Sequence, residues 1–534
     1  MKKFYKKVLN SKRLIMFITL LTVISVLPIC MHNLAYGGDL NFHLKRIQAI
    51  TLNIKNNMIG YPIYIKYLNN YGYASGLFYP DLFLYIPAFL NAIGIPLFIS
   101  YRIFLFIIKL LGIISMYFSI KAITKNKKNS VIATILYAFA SYPFIDMFER
   151  GALAETLTII FIPIVIRGIY EILYNNEEKY YILSFGMLGI LYSHVISTYL
   201  VSFFIILFVL LNIKRLNKKR IISLIKSGII FVLIGSHFIF PLIEQMISGS
   251  FYYDNKIFTL MENTVPLLCL IPELPYYSVM GHEIERWLPC GVGIIYLYFF
   301  IIKIKDKIII NEFNHKLLIC GIICLLFSTK LFWYIPFMNR IFSVIQFPYR
   351  IYILETVLFI FCFTEVYKNM NVKKIFIVCI LLFSLNLFFP FMNIKTSKLT
   401  DDEIMHGEYL PIEYPDLYYS KENENKIISD CKIKYEIEHD YNTKITYKSK
   451  CENDIKLPII YYKGYSVTVN DKEVPVYKSN IGTIQIKLEE KEGIINIKYK
   501  GTMIYNATKY ISLISFIGVI IYVKKRKNNI SNNS

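Results

Sequence analysis

Residues 14–47 read LIMFITLLTVISVLPICMHNLAYGGDLNFHLKRI, a mostly apolar run to Cys30, then a glycine pair and a charged amphipathic segment. The run is at the short end of what crosses a bilayer. Gly37 and Gly38 let the backbone turn sharply as it leaves the run. Asp39, His43 and Arg46 follow at i, i+4 and i+7, so on a helix they share one face, beside Leu40, Leu44 and Ile47. An acid, an imidazole and a guanidinium at a membrane surface suit work on a phosphate-bearing lipid. The plainer alternative is a solvated amphipathic helix. Lys2, Lys3, Lys6, Lys7, Lys12 and Arg13 ahead of the run predict a cytoplasmic N-terminus. No small-residue cleavage site follows Cys30, so the run reads as a retained signal anchor.

Composition extends this to the whole chain. Hydrophobic residues make up 55% of 534, charged residues 18%, and the mean hydropathy is +0.46. Soluble domains seldom look like this, whereas multi-pass membrane proteins do. The net charge of +22 sits largely in short runs between apolar segments: Lys121 to Lys128, Lys214 to Lys226, Lys303 to Lys316, Lys368 to Lys374 and Lys524 to Lys527. That pattern marks cytoplasmic loops and excludes a nucleic-acid groove. Between the clusters we count about twelve predicted crossings, at 14–30, 101–120, 130–147, 153–173, 180–193, 195–213, 221–243, 287–302, 316–334, 346–366, 375–392 and 508–523. The apolar stretch Asp81 to Ile99 carries Pro87 and Pro96, and charge parity makes it an interfacial or re-entrant helix.

The expected organisation is a polytopic α-helical domain over 1–392, an extracytoplasmic β-sandwich-like domain over 393–507, and a final helix with a basic cytoplasmic tail over 508–534. Outer loops fall at 31–100 and 244–286, the second holding Asp254, Glu262, Glu273, Glu283, Glu285 and Arg286. Strand-like alternation covers Ile459 to Val469, Glu473 to Tyr477, Thr483 to Leu488 and Ile494 to Lys500, with Asn470-Asp471 and Glu492-Gly493 as expected turns.

Of nine cysteines, Cys30, Cys269, Cys290, Cys320, Cys324, Cys362 and Cys379 lie in or beside apolar segments and read as small core residues. Cys431 and Cys451 are in the predicted outer domain. Folding the chain about Asp440-Tyr441-Asn442 pairs His439 with Thr443, Ile437 with Ile445, Tyr435 with Tyr447 and Ile433 with Ser449. The same register sets Cys431 opposite Cys451, close enough for a disulfide.

Polar residues at the predicted outer ends of the spans are candidate binding groups, because charge in a bilayer is costly. Phe148-Glu149-Arg150-Gly151-Ala152-Leu153-Ala154-Glu155 brings two carboxylates and an arginine to a helix–helix turn, where a self-satisfied Glu–Arg pair is the competing reading. His194 stands at a hairpin tip, and Arg350 in Gln346-Phe347-Pro348-Tyr349-Arg350 is either a snorkelling residue or a phosphate clamp. His406-Gly407-Glu408-Tyr409-Leu410-Pro411 stands at the entry to the β domain.

In this order, GGDLNFHLKRI, LFYPDLFLYIPAFL, FERGALAE, YSHVIS, QFPYR, GEYLP and YYKGYSVTVNDKEV resemble a bacterial membrane family labelled pyruvoyl-tetrahydropterin-synthase-related. That group resembles the GT-C glycosyltransferase superfamily, and the likeness runs over nearly the whole chain. No His triad of a pterin synthase is visible, and no His-Pro-Pro motif, only Tyr79-Pro80-Asp81. The resemblance implies transfer of a sugar from a polyprenyl-phosphate donor to a cell-envelope glycan, glycolipid or protein acceptor outside the membrane. It puts Asp39 at the acidic catalytic position, with substrate-binding roles for Glu149, Arg150, Glu155, His194 and Arg350. Chemistry adds Arg46 as a phosphate clamp and His43 as a residue orienting Asp39 or joining it on a divalent metal. A lipid-linked glycan transporter or an assembly scaffold is the alternative.

Overall fold

A computed structural model describes residues 11–30, 39–255, 276–280, 283–287, 293–392, 407–413, 426–439 and 443–532, with isolated positions 260, 264, 265 and 270. The turn at 440–442 and His406 lie outside the described residues. The chain forms two compact units. Met1–His43, Phe98–Phe231 and Phe258–Leu399 make one; Leu44–Leu97, Val232–Ile257 and Thr400–Ser534 make the other. The second grouping differs from a cut at residue 393, because the first loop and the last helix cluster with the β strands.

The first unit is mainly helical. Asn126 caps Lys127–Ala138, its side chain accepting from the Lys128 and Asn129 amides, and Ser141–Phe148 continues the path after a two-residue break. Ile162–Tyr174 and Tyr181–Leu191 pack closely because glycines face the contact. A Cβ at Gly168 would lie 2.5 Å from the Leu183 backbone, and one at Gly186 would lie 3.0 Å from the Val165 nitrogen. Small residues of this kind let helix backbones approach in a membrane. A short antiparallel hairpin, β1 (Tyr276–Met280) and β2 (Glu283–Trp287), stands in the segment read as loop 244–286. That loop also begins later than expected, since one helix runs through Lys218–Ser248.

Among the described residues five helices are long and apolar enough to cross a membrane: Leu97–Thr124, Lys127–Phe148, Leu153–Tyr174, Lys218–Ser248 and Met503–Arg526. Phe337–Ile345 and Pro348–Cys362, bent by 73°, add a sixth if taken as one broken span. The expected count was about twelve. For four of the expected crossings the difference lies in helix length: Tyr181–Leu191 has 11 residues, Val195–Leu211 has 17, Ile294–Lys305 has 12 and Glu312–Ser328 has 17. A straight crossing needs about 20. The segment read as re-entrant holds a 3-10 turn at Leu82–Leu84, the short helix Tyr85–Ala92 and the start of Leu97–Thr124. Exposed apolar side chains such as Leu111, Phe118, Ile225 and Ile514 suit contact with lipid.

The second unit contains two antiparallel sheets. One has the order β3 (Ile428–Ser429), β6 (Asn453–Ile460), β10 (Thr483–Leu488), β9 (Tyr477–Lys478). The other has β4 (Ile433–His439), β5 (Thr443–Ser449), β11 (Glu492–Tyr499), β7 (Tyr465–Val469), β8 (Lys472–Val474). Alternate residues of both sheets, among them Ile445, Ile455, Leu457, Val467, Ile486 and Ile497, share one buried apolar cluster. The pairing of β4 with β5 has the predicted register, Tyr435 opposite Tyr447. Cys431 and Cys451 are joined as a disulfide with Cα atoms 6.4 Å apart.

Three strand expectations are corrected. The run Glu473 to Tyr477 is split between β8, which ends at Val474, and β9, which starts at Tyr477 in the other sheet. The run Ile459 to Val469 is two strands, parted where Gly464 takes φ +119°. Glu492-Gly493 is not a turn but the start of β11. Asn470-Asp471 does turn, with φ of 49° and 62°, joining β7 to β8 through a two-residue connection.

Loop and final helix are bound into this unit by specific contacts. The Ile460 amide donates to the Tyr71 carbonyl at 2.9 Å, and the Tyr409 ring stacks on Phe78 at 5.0 Å. Ser236 Oγ donates to the Thr508 carbonyl at 3.2 Å, tying the last helix to the one ending at Ser248.

Candidate functional site

In the first unit the site grows from the turn after Ser141–Phe148. Gly151 sits at φ +63°, and a Cβ there would lie 3.0 Å from the Leu40 nitrogen and Cα. A glycine is therefore required, both for its backbone conformation and for the close approach. The approach brings the Asp39 amide to the Arg150 carbonyl at 3.2 Å, while the Asp39 carbonyl accepts from the His43 amide at 3.2 Å and starts the helix Leu40–Lys55. Asp39 is half-buried at that junction.

Arg150 turns into the unit. Its Nη1 donates to Asp146 Oδ1, to Glu155 Oε2 at 3.0 Å and to Tyr142 Oη at 3.3 Å. Tyr142 Oη donates to Glu155 Oε1 at 2.9 Å. Arg350 approaches the same carboxylate, Nε to Glu155 Oε2 at 3.7 Å, and its Nη1 donates to the Ile345 carbonyl at 3.4 Å. The Arg150 guanidinium lies 5.2 Å from the centre of the Tyr349 ring. Burial opposes the charge on Arg150, but Glu155 and Asp146 outweigh it and hold its proton more firmly than water would. Two arginines and two carboxylates thus balance in one buried cluster.

Arg350 reaches Glu155 because the chain breaks at Gln346. The Phe347 amide donates to the Ile345 carbonyl at 2.7 Å across Gln346, whose φ is 66° and ψ −52°. This is a γ-turn of the rare, strained positive-φ form. Pro348 and the following turn then start the helix Tyr352–Cys362 with Arg350 at its head.

Arg150, Glu155 and Arg350 meet in this cluster, Asp39 adjoins it through its backbone amide, and the Glu–Arg pair given as the competing reading of FERGALAE is present. Glu149 is half-buried beside Arg150. His194 occupies the residue before Val195–Leu211, its ring Nδ1 2.8 Å from Ser197 Oγ. His43 is buried, its ring 5.3 Å from Phe42. Tyr142 and Asp146 escaped the sequence reading. A lone acid in the apolar run SYPFIDMF, four residues before Arg150, was the signal available. Among the described residues no group of three or more His, Cys, Asp or Glu side chains is arranged to hold a metal ion.

Arg46 belongs to the second unit, where its guanidinium is engaged by the loop. Its Nη2 donates to Asp81 Oδ1 at 2.5 Å and to the Pro80 carbonyl at 2.8 Å, and its guanidinium lies 4.4 Å from the Tyr79 ring centre. Tyr64 Oη donates to the other Asp81 oxygen at 2.5 Å. Burial by itself would lower the Arg46 pKa, yet Asp81, Tyr64 and Tyr79 together outweigh it and raise it. Gly76 leaves room for this pair, since a Cβ there would lie 2.8 Å from Asp81 Oδ2. The Tyr79-Pro80-Asp81 motif thus fixes the loop through Arg46.

No protein-family model matches the chain. It is similar to an "Uncharacterized protein" of Lactococcus lactis subsp. cremoris, 24% identical over 255 residues. The match covers 45% of this chain and 41% of that protein, so the chain spans less than half the length of the relative.

Proposed function

We propose that this chain is a membrane glycosyltransferase of the GT-C kind, moving a sugar from a polyprenyl-phosphate carrier to a cell-envelope acceptor on the outer face. The observation that supports it is the seat of Asp39: a half-buried acid whose amide is bonded to Arg150, at the edge of a buried cluster holding Arg150 and Arg350. In this reading the Asp39 carboxylate takes the acceptor hydroxyl proton. The acceptor oxygen bonds the sugar C1, the C1–O bond to phosphate breaks, and the phosphate leaves with the electron pair. Arg350, held to Glu155 only at 3.7 Å, is the cation better placed to turn to that phosphate, while Arg150 is engaged by two carboxylates. The basic clusters put both termini in the cytoplasm and the β strands outside.

A lipid-linked glycan transporter is the second reading. The 73° break near Gln346, and Glu355, buried with neither carboxylate oxygen hydrogen-bonded among the described residues, are features that transporters use. Comparing envelope glycans of cells with and without the protein separates the two. The enzyme reading expects a missing sugar, restored by the wild-type gene and not by Asp39→Asn. A lipid-linked precursor that accumulates with its sugar already attached would favour transport.

A further inference from the structure

The helical unit has a second polar site, apart from the Arg150 cluster. A cavity of about 360 Å³ is lined by Asn129, Tyr170, Tyr174, Arg215, Glu312 and Lys368, together with neighbouring residues. Four of the basic segments recognised in the sequence border or flank it: Thr124 and Asn129 next to Lys121 to Lys128, Arg215 within Lys214 to Lys226, Glu312 within Lys303 to Lys316, and Lys368 itself. Positively charged segments that are remote in sequence thus surround one concavity.

Its walls are built. Asn129 and Asn314 grip Thr364 from two sides, Asn129 Nδ2 donating to the carbonyl at 2.8 Å and Asn314 Nδ2 to the hydroxyl at 2.9 Å. Tyr170 and Tyr174 stack with an interplanar angle of 2°. The Arg215 guanidinium lies 4.2 Å from the centre of the Tyr174 ring. Glu312 is held by Arg215 and Lys316, and Glu365 by Lys368 and Asn311. Lys128 donates to the Lys368 carbonyl at 2.6 Å, and Arg220 to the Arg215 carbonyl at 2.7 Å. Among the described residues the lining balances Arg215 and Lys368 against Glu312 and Glu365, and Lys128, Arg220 and Lys316 beside it add three further cations.

One polar atom of the lining is left over. Asn129 is 1% exposed, and its Oδ1 has no hydrogen-bond partner among the described residues. A buried carbonyl oxygen without a donor costs about 1–3 kcal/mol. A ligand that supplies a hydroxyl donor removes that cost, and the surplus of cations around the cavity asks for an anion.

We propose that this cavity binds a phosphate ester bearing hydroxyl groups, of the glycerol-phosphate type. Arg215 and Lys368 take the phosphate and Asn129 Oδ1 accepts from a hydroxyl. A membrane offers such an ester as the headgroup of phosphatidylglycerol, and the basic segments bring that headgroup within reach if they face the cytoplasmic leaflet. The site is independent of the sugar-transfer reading.

The test uses the full-length protein in detergent, incubated with equal amounts of phosphatidylglycerol and phosphatidylcholine, and native mass spectrometry of the retained lipid. Phosphatidylcholine carries the phosphate but no hydroxyl or ammonium donor. The expected result is about tenfold preferential retention of phosphatidylglycerol, lost in Asn129→Ala and in the exposed-residue variant Lys368→Gln, and kept in Lys303→Gln. Displacement of the lipid by sn-glycerol 3-phosphate would assign the same site to a soluble ester; failure to displace assigns it to the membrane lipid. Equal retention of the two lipids without binding of sn-glycerol 3-phosphate overturns the proposal. So does an equal loss in Lys303→Gln, which would reduce the effect to overall charge.

Discussion

Glu155→Gln is the perturbation that probes the buried cluster most sharply. The Glu155 side chain is 2% exposed and receives Arg150 at 3.0 Å, Tyr142 at 2.9 Å and Arg350 at 3.7 Å. Neutralising it leaves Asp146 as the remaining carboxylate bonded to this pair of arginines among the described residues. Removing one partner of a buried ion pair costs about 3–5 kcal/mol, because the remaining charge stays desolvated. Glutamine keeps the volume and can still accept from Tyr142, so the loss should fall at the lower end. We expect the detergent-solubilised variant to unfold several degrees below wild type, read by intrinsic fluorescence on heating. The double variant Glu155→Gln/Arg350→Gln restores the charge balance and should regain part of that loss, with a coupling of about 1 kcal/mol or more. Wild-type stability in Glu155→Gln, or a double variant whose loss is the plain sum of the single losses, would refute the reasoning.

Three further outcomes follow from the geometry. Gln346→Gly should keep or raise thermal stability by about 1 kcal/mol, because glycine adopts the positive φ of the γ-turn without strain; Gln346→Val should lower it, measured the same way. Opening the Cys431–Cys451 bridge, whose ends are 20 residues apart, should destabilise the β strands by about 3 kcal/mol. Denaturant unfolding of Cys431→Ser/Cys451→Ser, followed by tyrosine fluorescence, checks it. His439 is pushed down to about 4 by burial first and then by the Lys66 charge. Its folded pKa lies below the unfolded value of about 6.5, so the stability this neutral ring supports is present above that value and is lost as pH falls towards 4. With its partial exposure the effect is about 1–2 kcal/mol, and a His439→Gln variant should show a flatter stability profile over that window.

Local pattern carried much of the architecture. The alternation from Ile433 to Ser449 is strictly two-residue, so facing Tyr435 with Tyr447 and setting Cys431 against Cys451 followed from counting. Gly493 misled because glycine was read as a turn. It sits inside β11 since a Cβ there would lie 2.3 Å from Asn470 Oδ1, the atom that accepts from the Ile494 amide at 2.9 Å. The break at Tyr192-Ser193-His194 lies where the hairpin tip was expected, but the helices on either side, Tyr181–Leu191 and Val195–Leu211, are shorter than a full crossing. The Arg150–Glu155 pair was legible from five residues' spacing. The partner of Arg46 was not, because Asp81 lies 35 residues away and no helical period connects them.

The central claim rests on Asp39. Membranes containing the protein, supplied with a labelled polyprenyl-phosphate sugar and an envelope acceptor fraction, should transfer label with wild-type protein. Asp39→Asn, which keeps the backbone amide bonded to the Arg150 carbonyl, should fold normally and lose about a hundredfold or more in rate, the scale of a missing general base. Transfer by a folded Asp39→Asn variant at the wild-type rate would contradict the account.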